Sequence, residues 1–245
     1  MVRALAGAGL GAIVGSFLAT VLIRWPRGES AVAGRSRCDA CEATLGARDL
    51  VPIVSHVALR GRCRHCGAVI DSRHLAVELG AALIGLAAFV AFAGIAAPVT
   101  ALFGWWLLLI AALDLEHHWL PDRLTLPLLA FGLLVGWLGI GPPLADRMIG
   151  ALAGYAGLAI IALAYRRVRG REGLGGGDPK LLAALGAWLG WQQLPLILLG
   201  AGLLGLAAVT LTRLRGQPVA AGDRLPLGTL MALAAWPLWL MIAVR

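Results

Sequence analysis

Two aspartates stand beside long apolar runs: Asp114 in LLLIAALDLEHHWLPDRLT and Asp178 in GLGGGDPKLLAALGAWLG. An acid at a membrane edge is costly and needs a reason. Two carboxyls brought together cannot both ionise, so one keeps its proton while the other carries charge. Such a pair can activate water as a base and protonate a leaving amine as an acid, the chemistry of an aspartic dyad. The residues alone leave other roles open. Asp178 precedes Pro179 and suits a helix N-terminus. Asp114 can pair with Arg123, or both acids can serve a proton- or ion-coupled transporter. Glu116, His117, His118 and Asp122 share the corner after Asp114, where structural polar contacts are expected. Lys180 suits a partner for carboxylates or a snorkelling lysine. Glu78 lies one turn into an apolar run, placed either to hold the preceding polar segment against the membrane or to contact an amine.

The second cluster is made of thiols. CDAC (Cys38, Cys41) and CRHC (Cys63, Cys66) form a C-x2-C-x21-C-x2-C pattern. Two such knuckles place four thiolates at the corners of a tetrahedron, which suits structural Zn²⁺. Four thiolates leave no open coordination position, so a catalytic ion is not expected. Arg35, Arg37, Arg62 and Arg64 flank the pairs and favour the thiolate form. His65 competes weakly as a ligand, while His56 and His74 suit surface or interface roles. A metal would supply folding energy to a segment with little core of its own.

The elements that hold these groups follow from composition. The chain has 245 residues, 60% hydrophobic and 14% charged, with a mean hydropathy of +0.84. This is the balance of an all-α polytopic membrane protein, and several runs reach the roughly 20 residues that cross a bilayer. The runs are 4–23, 75–97, 99–119, 124–140, 144–165, 179–191, 194–212 and 226–244, giving eight expected spans. A continuous helix over 181–212 would reduce them to seven. The first run is too long for a cleaved signal and reads as a retained span. With both termini outside, eight spans put every Lys and Arg except Arg3, Arg147 and Arg245 on the cytoplasmic side, as the positive-inside rule requires. The net charge of +8 is thereby assigned to cytoplasmic loops; no nucleic-acid motif accompanies it. The expected organisation is a first span over 1–25, a cytoplasmic four-cysteine module over 26–73, and a transmembrane domain over 74–245 carrying both aspartates. The acids lie near one face and the spans show no inverted repeat, which disfavours the transporter.

Taken in order, these segments resemble the type IV prepilin peptidase family. GSFLATVLIRWP is similar to the end of that family's first span, the cysteine segment to its cytoplasmic module, and DLEHHWLPDRLT and GLGGGDPKLL to its two aspartate motifs. LPLGTLMALAAW is similar to its closing stretch. The resemblance implies an aspartic endopeptidase of the bacterial inner membrane, with Asp114 and Asp178 catalytic near the cytoplasmic face. Its substrates would be prepilins and pseudopilins, cut after a glycine at the end of a basic leader. Its second activity would be N-methylation of the new terminus with S-adenosylmethionine, through a donor site located no more finely than the module and its basic loops. Ala19, Asp39, Leu227 and Thr229 depart from the family's usual Asn, Pro, Phe and Pro. Those near the first span bear on methyl transfer more than on cleavage.

Overall fold

The computed structural model describes residues 1–32, 34–170, 173–218 and 225–243. Arg171, Arg224 and Arg245, which enter the charge argument, lie outside them. The described residues form α1 (Val2–Arg24), α2 (Val54–Ala58), α3 (Ser72–Ala91), α4 (Ala96–His117), α5 (Asp122–Trp137), α6 (Leu144–Arg169), α7 (Asp178–Leu189), α8 (Leu194–Leu214) and α9 (Leu227–Ala243). No strand longer than an isolated bridge occurs among them.

A helix stands at each of the eight expected runs. Five of them (α1, α3, α4, α6 and α8) are long and apolar enough to cross a membrane, and the chain is a multi-pass membrane protein. The other three are shorter, with 16 residues in α5, 12 in α7 and 17 in α9. The alternative of one helix over 181–212 does not form. Gly190 ends α7 at φ +82°, and a turn at Trp191–Gln193 leads into α8. Positive φ is accessible to glycine at little steric cost.

The chain divides into two compact units, Met1–Leu109 and Ile110–Arg245. In the first, α1 packs along α3 through Gly7, Gly11 and Gly15. A Cβ on Gly11 would stand 2.2 Å from the Ala81 carbonyl oxygen, and one on Gly15 2.7 Å from Glu78 Cα. Small residues at every fourth position let the two backbones touch, as lipid-embedded helices require. Trp105 of α4 donates its indole N–H to the Ala81 carbonyl at 2.8 Å. Arg3 reaches the carbonyl of Phe92, just past the end of α3.

In the second unit α7 is enclosed by its neighbours. Every residue of α7 but Lys180 is buried, with α5, α6 and α9 packed around it. Gly150 of α6 and Gly186 of α7 meet backbone to backbone, a Cβ on Gly186 falling 2.2 Å from the Gly150 carbonyl oxygen. Arg147 is fully buried. It donates to the carbonyls of Gly132 (2.8 Å), Pro142 (2.9 Å), Ala187 (3.2 Å) and Ile140, and its guanidinium lies 5.6 Å from the Trp239 ring centre. Carbonyls near helix C-termini lack intrahelical partners, and a planar cation with five N–H groups satisfies several at once. Arg147, expected only to stand on the outer side, is thus an internal clasp for α5, α6, α7 and α9.

Candidate active site and four-thiol centre

Asp114 and Asp178 are both in the second unit, and both are buried, at 5% and 7% exposure. Asp114 lies in the last turn of α4. Its Oδ2 accepts the backbone N–H of Thr229 at 2.8 Å and lies 3.3 Å from the Thr229 hydroxyl. That hydroxyl also donates to the Ala111 carbonyl at 2.8 Å, so the first turn of α9 is stitched to the last turn of α4. Among the described residues Asp114 makes no ion pair with Arg123.

Asp178 opens α7, with Gly177 as the capping residue and Pro179 next. Its side chain does not cap its own helix. It turns back to accept the Gly175 N–H at 2.9 Å. A Cβ on Gly175 would lie 3.2 Å from the same carboxylate oxygen, so the glycine run lets the loop close over the acid.

Leu120 sits between the segments that carry the acids. A Cβ on Gly177 would fall 2.6 Å from Leu120 Cβ, and one on Gly228 would fall 2.9 Å from Leu120 Cδ1 and 3.0 Å from Asp114 Oδ2. Glycines beside Asp178 and beside Thr229 therefore admit one leucine, and Asp178 lies within reach of the Asp114 charge. Two residues later Asp122 receives Lys180 Nζ on both oxygens, at 2.7 and 2.8 Å. This pair ties the start of α5 to the start of α7. A cavity of about 250 Å³, lined by Tyr155, Arg166, Gly173–Gly176 and Pro179, adjoins the Asp178 loop. His117 lies 3.7 Å from Glu116, and His118 takes φ +48° where the chain leaves α4.

Sequence reasoning singled out both acids but met Thr229 only as a departure from a pattern, and gave Leu120 no role. Their contacts span more than 100 and more than 50 residues of chain, respectively, and no local signal carries them. The one available hint was a threonine within an otherwise apolar terminal run.

The thiol centre is in the first unit. Each CxxC pair forms the same tight loop. Cys38 N–H donates to the Ala43 carbonyl and Glu42 N–H to Cys38; Cys63 N–H donates to Ala68 and Gly67 N–H to Cys63. Bridges Arg37–Thr44 and Arg62–Val69 close the two loops. Glu42 and Gly67 occupy equivalent left-handed positions, φ +55° and +72°. The four sulfurs lie within 4.8 Å of one another, with Cys38 and Cys66 at 3.9 Å. Tetrahedral sulfurs on metal bonds of about 2.3 Å are about 3.8 Å apart, so the set fits a tetrahedral ion. The backbone N–H groups of Cys66 and His65 hold the Cys63 thiol down to about 6. For Cys66 the Ala68 N–H pulls down, yet the neighbouring thiols Cys41, Cys63 and Cys38, with burial, push it up to about 11. Four crowded sulfurs resist sharing several negative charges, a conflict that a bound divalent cation removes. His65 contributes its backbone N–H to Cys63 Sγ at 3.4 Å.

Two buried carboxyls on a multi-helical membrane scaffold thus accompany a four-thiol module in one chain. Residues 101–210 match the type IV leader peptidase family, and residues 10–92 match the bacterial peptidase A24 N-terminal domain. The chain is 38% identical to a prepilin leader peptidase/N-methyltransferase of Pseudomonas putida, over 93% of this chain and 86% of that one. It is 43% identical to a protein of the same name from Aeromonas hydrophila, over 82% and 70%, and 39% identical to one from Dichelobacter nodosus, over 82% and 69%. No solved structure matches the chain. The chain belongs to the type IV leader peptidase family.

Proposed function

We propose that this chain is an aspartic endopeptidase of the bacterial inner membrane that removes the basic leader of prepilins and pseudopilins. It cuts after a glycine at the cytoplasmic face and then methylates the new N-terminus with S-adenosylmethionine. One observation carries the cleavage half: two buried carboxyls on different helices, each held through one oxygen by a backbone N–H, with Leu120 packed between their segments.

The N–H bonds fix the direction of each acid and leave its other oxygen for the reaction. The ionised carboxyl takes a proton from water as the water oxygen adds to the scissile carbonyl. The protonated carboxyl gives its proton to the carbonyl oxygen. When the C–N bond breaks, the proton held by the first acid passes to the leaving amine, and one hydroxyl proton of the intermediate returns to the second acid. The substrate's apolar helix stays in lipid while its basic leader waits on the side of the cytoplasmic arginines. Cys38, Cys41, Cys63 and Cys66 hold a structural Zn²⁺ that folds the module and takes no part in cleavage.

The test is cleavage of a purified prepilin in detergent by wild type, Asp114→Asn and Asp178→Asn, with mass spectrometry of the product N-terminus. Each substitution removes proton transfer while keeping shape, so each lowers the rate at least about 100-fold. A variant that cleaves at near-normal rate removes that aspartate from the mechanism. A wild-type product heavier by one methyl group supports the transfer half.

A further inference from the structure

The first unit holds a cavity of about 330 Å³, within the range that accepts nucleoside-sized ligands. Its wall joins the cysteine loops, the last turns of α1 and the first turns of α3. Leu45, Leu59 and Ile70 give it an apolar side, and Arg24 and Arg37 bring positive charge.

Four carboxylates line this wall. Asp49 is paired with Arg64 at 2.7 Å, Asp71 is paired with Arg73, and Asp39 is exposed. Glu78 differs. It is 5% exposed, and its hydrogen-bond partner among the described residues is the backbone N–H of Ile53 at 2.7 Å. A buried carboxylate without a lysine or arginine is costly, and at a cavity wall it favours a cationic ligand. Ile53 is itself unusual, at φ +64° and ψ −53°, a conformation strained for a β-branched side chain. The acid at the cavity wall therefore also pins a strained backbone residue, as in a shaped site rather than a packing gap. His74 precedes Glu78 by one helical turn and lines the same space.

We infer that this cavity is the methyl-donor site: it takes S-adenosylmethionine with Glu78 facing the sulfonium. This rests on the methyltransferase half of the function proposed above. The carboxyl pair of the second unit accounts for hydrolysis and leaves methyl transfer without a site. The donor combines an apolar ring, a carboxylate and a sulfonium cation, and the wall offers a counterpart to each. In the transfer, the neutral terminal amine gives its lone pair to the donor methyl. The N–C bond forms as the S–C bond breaks, and the sulfur keeps that pair and leaves as a neutral thioether. The new secondary ammonium passes one proton to the His74 imidazole.

The experiment measures binding of S-adenosylmethionine and of its uncharged product S-adenosylhomocysteine to the full-length protein in detergent. Wild type, Glu78→Gln and His74→Gln are compared, with prepilin cleavage as the folding control. Wild type prefers the sulfonium roughly tenfold or more, about 1.4 kcal/mol. Glu78→Gln loses that preference and its methylation while still cleaving. His74→Gln binds the donor normally and methylates more slowly. Glu78→Gln with full preference and full methylation overturns the inference and leaves the methyltransferase reading intact. Wild type that neither binds the donor nor methylates overturns both. Should Glu78→Gln fail to cleave, a photoreactive adenosyl donor on wild type decides. Cross-links confined to residues 16–78 support the site, and cross-links elsewhere defeat it.

Discussion

At the scale of single residues, Thr229 is the side chain most tightly joined to the acids. Its N–H and hydroxyl both point at Asp114, and the hydroxyl bridges to Ala111. Thr229→Val removes the hydroxyl and keeps the N–H. Thermal unfolding in detergent should show a loss of about 1 kcal/mol, the usual worth of one buried hydrogen bond. Cleavage should persist, because the N–H still orients the carboxylate. Both aspartates were legible in the sequence because acids beside apolar runs are rare and expensive. Thr229 was not, because a threonine sits in a span at little cost and its partner is 115 residues away. Arg147 was read only for its side of the membrane, and only the packed helices reveal the four carbonyls it serves.

At the scale of helices, the glycine pattern of α1 separates contact from freedom. Gly11→Val places a side chain on the Ala81 carbonyl and should destabilise the α1–α3 pair by at least about 2 kcal/mol. Gly9 has open space around a built Cβ, so Gly9→Ala should be neutral or stabilising by up to about 1 kcal/mol. Thermal unfolding of the two variants side by side checks both. The start of α3 gives a pH prediction. Asp71 accepts the Arg73 N–H as a cap and the Arg73 side chain at 2.9 Å. Those bonds, the side-chain one foremost, lower its pKa to about 2 from an ordinary 3.8. The folded value is depressed, so the stabilisation is complete above pH 3.8 and is lost as pH falls through 2. The gap in unfolding midpoint between wild type and Asp71→Ala should stay constant from pH 7 to 5, shrink below 4, and vanish near 2. Helix positions were readable from apolar runs alone. Their lengths were close as well, 179–191 against Asp178–Leu189 for α7, but the break between α7 and α8 was left open, because Gly190 acts through a turn that leaves hydrophobicity unchanged.

At the scale of the whole chain, the proposals above give cleavage to the second compact unit and methyl transfer to the first. Metal removal should distinguish them. One zinc per chain is expected by elemental analysis, falling in Cys38→Ser. Stripping the metal with a chelator should abolish methylation while prepilin cleavage by the same sample continues. Equal loss of both would mean that the thiol centre supports the peptidase as well. The module was legible because CxxC spacing encodes ligand geometry directly. The cavity beside it was not, since its wall draws on residues from Ser16 to Glu78 that only folding brings together.

The length of α7 carries one more consequence. Twelve residues rise about 18 Å, against a hydrocarbon layer of about 30 Å, so this helix and its flanking loops leave a stretch of bilayer that no apolar surface of α7 can fill. Protein encloses α7 on nearly every side, and Asp178 stands at one of its ends, after the glycines at 175, 176 and 177. Hydrolysis inside a membrane is limited by the supply of water. On the proposed reading, a helix shorter than the bilayer leaves room for that supply at the end where Asp178 stands.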